Sequence, residues 1–378
     1  MTAHAKLSPS SAARWMYCPG SVALSEGLKD KSSKFAEEGT DAHELAAVCL
    51  ENNTAASSYL GIAMEKGHVV NDDMAMHVQA YVDYVRSITS MGLLYVEQSL
   101  SIEFMTGEQG ARGTSDVVAI VGDELIVIDL KYGMGLRIDA EDNPQLQMYA
   151  AAALREFSLV QEIKTVRMVI VQPRLGAISE WVQTVDDMKR FICDAYDKAL
   201  ATKQPNASLV PAAKSCQFCR AKATCPAIEQ EILDAFDVIT PDDKPSRLAV
   251  VMDKADMIEG WIKALRAEVE TRLLAGIDVP GWKIVQGKRG NRAWSSKEVA
   301  EETLKTMRLK HSDMYDYSFI SPTTAEKLNK KDVLGAQQWA KIQTLIVQAE
   351  GKPSVAPASD KRPVFSVSAS ADDFDDVS

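Results

Sequence analysis

Residues 114–131 read TSDVVAIVGDELIVIDLK, and this stretch decides the fold. Two runs dominated by β-branched and other apolar residues, Thr114–Val121 and Glu124–Asp129, lie on either side of Gly122-Asp123. Glycine next to aspartate is typical of a two-residue hairpin turn, and the flanking runs have the composition of buried strands. The stretch therefore predicts an antiparallel hairpin, the last two strands of a three-strand meander.

Working outward, the pattern of apolar residues alternates between strand and helix spacing. Before the hairpin, helices are expected over Asp41–Asn52 and Met74–Met91. The other expected elements are strands over Tyr95–Phe104, Thr165–Gln172 and Glu180–Val185, and helices over Pro144–Phe157 and Asp186–Lys203. This order predicts an α/β fold with a mixed central sheet flanked by helices, and it excludes a regular doubly wound sheet.

The hairpin also predicts an acidic centre. With a two-residue turn, Val121 faces Glu124, and continuing outward Asp116 faces Asp129, with their Cβ atoms about 5 Å apart. Like charges placed opposite each other are unfavourable unless a positive group lies between them. Lys131 follows Asp129 by two residues and so shares its sheet face. Carboxylates that hold a divalent cation beside an ammonium group suit phosphodiester hydrolysis.

A purely structural role is also open to each candidate residue. An Asp-x-Lys tripeptide at Asp129–Lys131 could simply end a strand. His43 lies on a predicted helix in GTDAHEL, where a satisfied helical histidine is the common case. Gln145 and Tyr149 are four residues apart and share a helix face, which could contact a DNA strand, orient the lysine or only pack on the sheet. Glu97, in the preceding strand, is a weaker candidate for the site.

The overall charge does not resemble that of a nonspecific duplex-binding protein. The 378 residues carry a formal net charge of −11, so any nucleic-acid contact needs local basic patches. One candidate is GWKIVQGKRGNRAW, ending at Trp294, with Lys288 and Arg289 near its centre, although a solvated β-hairpin explains it equally well. No apolar run is long enough to span a membrane and no secretion signal is visible, which predicts a cytoplasmic location.

Six cysteines are present, and three of them form a C-x2-C-x5-C pattern. In a cytoplasmic chain such spacing indicates metal or cluster ligation and not disulfides. The three are Cys216, Cys219 and Cys225. Cys49 and Cys193 lie in apolar helical contexts and are predicted core residues.

Three regions follow from these patterns. Residues 1–228 contain all the motifs and are predicted to form one α/β domain. Residues 229–350 are predicted to be a mainly helical accessory region. Residues 351–378 are rich in Pro, Ser, Ala and Asp, end in DDFDDVS and are predicted to be a disordered acidic tail.

The motifs together resemble those of RecB-like nucleases of the PD-(D/E)xK type. The resemblance rests on His43, then G-T-S-D at Gly113–Asp116, I-D-L-K at Ile128–Lys131 and Q-x3-Y at Gln145–Tyr149, in this order and in a strand–turn–strand context. It covers about residues 6–228. The N-terminal L-S-P-S-S…C-P and the order of the regions are also similar to an uncharacterised RecB-like family of bacteriophages and prophages. A restriction-endonuclease-like core is the fold that this resemblance implies.

The resemblance assigns a role to each motif residue. His43, Asp116 and Asp129 would ligate Mg2+ or Mn2+, with the backbone carbonyl of Leu130 as a further ligand, and Lys131 would be the catalytic lysine. Gln145 and Tyr149 would shape the site and touch the nucleic acid. Many members of the family carry glutamate at the position of Asp129, so the shorter side chain here puts the metal geometry in doubt.

The cysteines resemble the split iron–sulfur ligation of AddB-type nucleases. Cys18 near the N-terminus, with Cys216, Cys219 and Cys225, would hold a [4Fe–4S] cluster. Four thiolates also suit a structural Zn2+, and the ligands alone do not separate the two. In either case the site would join the N-terminal helix to the far end of the domain and close a loop of roughly two hundred residues.

The expected function is that of a metal-dependent DNA nuclease, in particular an exonuclease in phage recombination, replication or repair within a bacterial host cell. Its expected partners are DNA and a phage single-strand annealing or single-strand-binding protein. Two alternatives remain: an inactive or partner-dependent DNA-binding protein of the same fold, and a structural zinc protein that recruits partners through its acidic tail. The sequence contains no G-x4-GK[ST] loop, so unwinding would need a partner.

Overall fold

The structure is a computed structural model. It describes residues 5–28, 34–135, 137–237, 245–307, 309–315, 319–331, 333–349, 351–357 and 361–365. The chain divides into two compact units, residues 1–262 and residues 263–378.

A five-stranded sheet forms the centre of the first unit, with its strands in sequence order across the sheet. The strands are β1 (Leu93–Ser101), β2 (Arg112–Val121), β3 (Glu124–Leu130), β4 (Thr165–Gln172) and β5 (Ala177–Thr184). β3 and β4 are parallel and the other neighbours are antiparallel, so the sheet is mixed, as the sequence predicted. The parallel pair requires a crossover, which a helix provides.

Helices α3 and α4 pack on one face of this sheet, and α6 and α7 pack on the other. In chain order the helices are α1 (Ala12–Trp15), α2 (Ser21–Leu24), α3 (Lys34–Glu51), α4 (Asp72–Thr89), α5 (Glu103–Thr106), α6 (Pro144–Phe157), α7 (Val185–Thr202), α8 (Ala213–Gln217), α9 (Pro226–Asp237) and α10 (Pro245–Leu274). The first half of α10 belongs to this unit.

The β2–β3 hairpin has the predicted register. Val121 pairs with Glu124 and Val117 pairs with Ile128 across a turn at Gly122, whose φ of +64° favours glycine. Because side chains alternate, Val118 and Val127 pack with α6 and α7, whereas Val117 and Ile128 pack with α3 and α4. Two separate cores, one on each side of the sheet, therefore fix the hairpin between them.

Several element boundaries differ from the prediction, most of them by one to three residues. The largest difference is at α3, which begins at Lys34, seven residues before the expected start at Asp41, and contains the glycine at position 39. β1 ends at Ser101, and the short helix α5 takes the last residues that were assigned to the strand.

The second unit has its own small core. Its remaining elements are β6 (Trp282–Gly287), β7 (Ala293–Trp294), α11 (Lys297–Thr306), α12 (His311–Met314), α13 (Pro322–Lys330), α14 (Ala336–Gln343), β8 (Ile346–Val347) and β9 (Gly351–Pro357). Leu304, Met314 and Ile342 are buried in that core. β6 pairs with β9 and β7 pairs with β8, so the hairpin between Trp282 and Trp294, one of the two alternatives for this basic segment, does not form.

The prediction for the C-terminal tail is also wrong in part. Residues 351–357, assigned to a disordered tail, form β9 because Val355 and its neighbours pair with β6. The prediction for residues 358–360 and 366–378 lies outside the described residues. No helix that the structure describes combines the length and the apolar character needed to cross a membrane.

Candidate active site

Asp116 lies where β2 and β3 separate. The ladder between these strands ends at the pair Val117 and Ile128. One residue further, the Asp116 carboxylate accepts a backbone hydrogen bond in place of a backbone carbonyl. Its Oδ2 accepts a hydrogen bond from the Leu130 amide at 2.7 Å. Its Oδ1 lies 3.1 Å from Nδ1 of His43 on α3. The predicted histidine and aspartate are therefore in contact.

Asp129 lies on β3 and is 3% exposed. Its Oδ2 is 2.7 Å from Nζ of Lys131, an ion-pair contact that lacks good hydrogen-bond geometry, and its Oδ1 accepts a bond from Gln145 Nε2 at 3.3 Å. Lys131 Nζ also donates to Gln145 Oε1 at 3.2 Å. Lysine, glutamine and aspartate thus form a closed triangle, and the positive group expected beside the carboxylates is Lys131.

Each carboxylate in the pair has a different electrostatic environment. Burial tends to raise the pKa of Asp116, but the charge and hydrogen bond of His43 outweigh it, and the net pKa lies below the ordinary value. Burial, with the nearby Asp116 charge, raises the pKa of Asp129 against the attraction of Lys131. Although burial disfavours the imidazolium, Asp116 raises the pKa of His43 above its ordinary value.

The N-terminal turn of α6 holds Gln145 in place. Asn143 caps this helix by accepting a hydrogen bond from the Leu146 amide at 3.2 Å, and Pro144 occupies its first position. Tyr149 is four residues further along and interacts with the Gln145 side chain. The shared helix face that the sequence predicted therefore points into the carboxylate site.

Gly113 of the G-T-S-D motif has a packing role. A Cβ atom at this position would lie 2.7 Å from Pro9 Cγ and 3.0 Å from Tyr149 Cε1. Both neighbours are ring atoms that cannot swing aside. The N-terminal segment and α6 thus both press against β2 at Gly113, which leaves no room for a larger residue there.

Sequence reasoning missed Tyr81 and undervalued Glu97. Tyr81 on α4 is buried, its hydroxyl has no hydrogen-bond partner among the described residues, and the charges of Asp116 and Asp129 add to burial in raising its pKa. Glu97 has a φ of +48° in β1, and desolvation together with the Asp116 charge raises its pKa to about 7. A tyrosine in an apolar helix face gives no sequence signal, whereas an acidic residue in a strand gave a weak one.

A small cavity lies between these residues. It has a volume of about 10 Å3, and it is lined by His43, Tyr81, Glu97, Asp116 and Leu130 among others. That is close to the space that one water molecule needs. A cavity of this size, surrounded by carboxylates and an imidazole, fits a single small cation.

The arrangement is not a closed set of metal ligands. Within the ranges that the structure describes, no three His, Cys, Asp or Glu side chains converge as a metal-holding group. His43 and Lys131 neutralise the two aspartates instead. The donors nevertheless fit Mg2+ or Mn2+, because carboxylate oxygens are hard ligands and Asp129 Oδ2 is buried with no hydrogen bond.

The predicted cysteine ligands lie in one region of the first unit. Cys18 follows α1 and accepts a hydrogen bond at Sγ from the Val210 amide at 3.2 Å. Cys216 and Cys225 are buried in one apolar cluster with Ile228, and burial together with the charges of Cys219 and Cys18 raises the Cys216 thiol pKa. The structure therefore joins the N-terminal segment to the C-x2-C-x5-C segment.

The two remaining cysteines have different environments. Cys49 is fully buried between α3 and α4, as the sequence predicted. The prediction that Cys193 is a core residue is wrong, because it lies on the exposed face of α7. The residues after 228 also contribute here, since Ile232 of α9 packs with Trp261 of α10 against this region.

In comparisons with known proteins, one family model matches most of the chain. A family model with the description "Protein of unknown function (DUF2800)" matches residues 4–363. A solved structure titled "Crystal structure of SSO0001" is 17% identical, and the match covers 57% of this chain and 84% of that chain. Its TM-score of 0.26 is too low to carry an argument about fold or function.

Proposed function

The chain belongs to the DUF2800 family, whose function is unknown, and we propose that it is a metal-dependent DNA nuclease with a RecB-like PD-(D/E)xK core. One observation carries this proposal: Asp116, Asp129 and Lys131 meet at the end of a β-hairpin, beside His43 and a cavity of about 10 Å3. Asp129 is buried and Asp116 is partly exposed, and two carboxylates in one shielded site are costly for folding alone. A cation that both carboxylates share would offset that cost.

His43, Asp116, Asp129 and the Leu130 carbonyl are the proposed ligands of Mg2+ or Mn2+. Glu97 lines the same cavity and is a further candidate. Such an ion supplies Lewis-acid polarisation of the phosphodiester and lowers the pKa of water. For the ion to enter, the His43–Asp116 pair must open, because the histidine nitrogen now faces the carboxylate.

Lys131 is proposed to stabilise negative charge on the phosphate. Its ammonium group donates to Gln145 Oε1 and lies 2.7 Å from Asp129 Oδ2, so one hydrogen bond and one ion pair fix its direction. A positive charge that is held where negative charge develops in the transition state lowers the barrier to reaction. Gln145 is the positioning residue, since its amide contacts both Asp129 and Lys131.

Cys18, Cys216, Cys219 and Cys225 are proposed to hold a [4Fe–4S] cluster, with structural Zn2+ as the alternative. The hydrogen bond from the Val210 amide to Cys18 Sγ supports thiolate ligation, because backbone amides commonly stabilise ligating sulfur. The proposed role is structural. The site would connect the segment before α2 to the segment before α9.

Incubation with two kinds of DNA tests the proposal. Anaerobically purified protein is mixed with end-labelled linear DNA or covalently closed circular DNA, in Mg2+, in Mn2+ and in EDTA. Degradation of the linear substrate in metal, with the circle intact, is expected for an exonuclease. If the circle is also cut, the enzyme is an endonuclease. Binding without cleavage in every metal would favour the inactive DNA-binding alternative.

A further inference from the structure

A second cleft opens beside the first turn of α6, apart from the carboxylate site. It has a volume of about 330 Å3 and is bounded by the end of α1, by α6, by β5 and by α7. This volume lies in the range of pockets that hold small organic groups. Nothing in the proposed nuclease chemistry uses it.

Two glutamine side chains line the cleft. Gln147 of α6 is 8% exposed. Oε1 of Gln183, on β5, is buried and accepts no hydrogen bond from any described residue. A buried acceptor without a partner is unfavourable, so a ligand that donates a hydrogen bond to Gln183 Oε1 would relieve this cost.

The charged residues of the cleft mostly neutralise one another. Arg190 pairs with Asp187, and Lys198 pairs with Asp194 at 2.8 Å, both along α7. Asp142, with a φ of +50°, also lines the cleft. The cleft therefore presents the acceptors Gln183 Oε1 and Asp142 together with the Gln147 amide, which fits a neutral ligand that carries an amino group.

One wall of the cleft is aromatic. Tyr17, directly after α1, is 50% exposed and lines the cleft, with Lys198 Nζ 5.3 Å from the centre of its ring. Exposed aromatic rings provide stacking surfaces for nucleobases in single strands. Glutamine amides commonly bind the amino edge of adenine, and carboxylates bind that of cytosine.

We infer that this cleft binds one unpaired adenine or cytosine, through its exocyclic amino group, from the strand that reaches the carboxylate site. The inference rests on the proposed function. Gln145 faces the carboxylates, and Gln147 faces the cleft two residues later, about 3 Å further along the helix axis. The two sides of one helical turn would thus hold a phosphate and a nearby base of the same strand.

Binding of short single strands tests this inference. The protein carries Lys131→Ala and the buffer contains EDTA, so that no strand is cut. Fluorescence anisotropy compares an oligothymidylate with the same strand carrying one central adenine, one central cytosine or one abasic site. The adenine or cytosine strand is expected to bind about tenfold more tightly than the all-thymine strand.

Variants in the cleft locate the effect. Gln183→Met and Gln147→Met keep the side-chain length but remove the amide, and each is expected to abolish the preference. Gln230→Met, on the exposed surface of α9, is expected to retain it. Thermal unfolding identifies any variant that fails to fold. If one glutamine variant fails, the variant of the other glutamine is used for the test.

The outcomes separate this inference from the nuclease proposal. Equal affinity for all strands, a preference that survives both glutamine changes, or no binding of single strands overturns the base-binding cleft. A preference in a protein whose wild-type form never cleaves DNA supports the cleft and overturns the nuclease. Cleavage without any preference for adenine or cytosine supports the nuclease and overturns the base-binding cleft.

Discussion

At the carboxylate site, two neighbouring aspartates are neutralised from opposite layers of the protein. His43 of α3 contacts Asp116, whereas Lys131 and Gln145 contact Asp129 on the side of α6. The site therefore depends on both helical layers being in place. Because each aspartate already has a positive neighbour, a divalent cation must compete with an existing ion pair for its ligands.

Asp116→Asn tests metal binding without any measurement of catalysis. The amide can still accept a hydrogen bond from Leu130, so the variant should fold. In the wild type, metal at about 100 times its Kd is expected to add about 2.7 kcal/mol to the free energy of unfolding, which raises Tm by several degrees. The variant should lose this rise. Asp123→Asn in the exposed hairpin turn is the control and should keep it.

Gly113→Ala tests the close approach at β2. The added Cβ would meet Pro9 and Tyr149 ring atoms, so we expect a loss of about 1–3 kcal/mol in the free energy of unfolding. Gly39→Ala, inside α3 with no atom within 4 Å, should instead gain about 0.5–1 kcal/mol. Denaturant unfolding measures both. Equal effects at the two glycines would contradict the packing account.

Among single residues, strand parity allowed the sequence to predict that Asp116, Asp129 and Lys131 share a sheet face. The turn at Gly122 fixes the register as far as Val117 and Ile128, the last paired residues before the two aspartates. Tyr81 could not be found, since its position beside the aspartates depends on how α4 packs against the sheet. The φ of +48° at Glu97 also has no local sequence signature.

At the scale of elements, α6 connects the carboxylate site with the core. Its central alanines are buried against the sheet, which allows the helix to approach closely. Its first turn then places Gln145 at the end of β3. The capping residue Asn143 controls where this turn begins, so it should influence catalysis as well as stability.

Asn143→Ala is expected to cost about 1 kcal/mol in the free energy of unfolding and to slow DNA cleavage. The slowing follows because a frayed first turn releases Gln145 from Lys131. Asn71→Ala removes the equivalent cap of α4, where Asn71 accepts from the Met74 amide at 2.8 Å. That variant should lose similar stability and keep its cleavage rate. Equal cleavage rates for the two variants would contradict the role given to α6.

The elements were predictable where local patterns dominate. The hairpin, α6 and α7 lie close to their expected positions because turn residues, proline and a capping threonine mark their ends. The start of α3 was missed because a glycine usually ends a helix, yet Gly39 continues this one. The pairing of β6 with β9 joins segments far apart in the sequence, and no local signal specifies such a partner.

At the scale of the whole molecule, the cysteines connect distant parts of the first unit. All five strands of the sheet lie between Cys18 and Cys216 in the sequence. The Val210 amide nevertheless donates a hydrogen bond to Cys18 Sγ, and the Gly20 amide donates one to the Ser208 carbonyl. A metal or cluster across this junction would constrain the unfolded chain and stabilise the fold.

Metal analysis of anaerobically purified protein tests this junction. The [4Fe–4S] proposal predicts about four iron atoms per chain, and the alternative predicts one zinc. Cys225→Ser should reduce the bound metal and lower Tm. Cys193→Ser, at an exposed position on α7, should change neither. Protein that contains neither iron nor zinc would contradict both forms of the proposal.

The most direct test of the nuclease proposal is the rate of DNA cleavage by Lys131→Ala, measured beside the wild type and Lys164→Ala in the better of Mg2+ and Mn2+. Lys164 pairs with Asp123 at the surface near the hairpin turn and is a matched control. We predict that Lys131→Ala lowers the rate by about 100-fold or more while the protein stays folded at the assay temperature, and that Lys164→Ala cleaves like the wild type. Because the change leaves the buried Asp129 without its ion-pair partner, Lys131→Ala should also lower Tm. Cleavage by Lys131→Ala at the wild-type rate, or no cleavage by metal-loaded wild-type protein, would contradict the proposal.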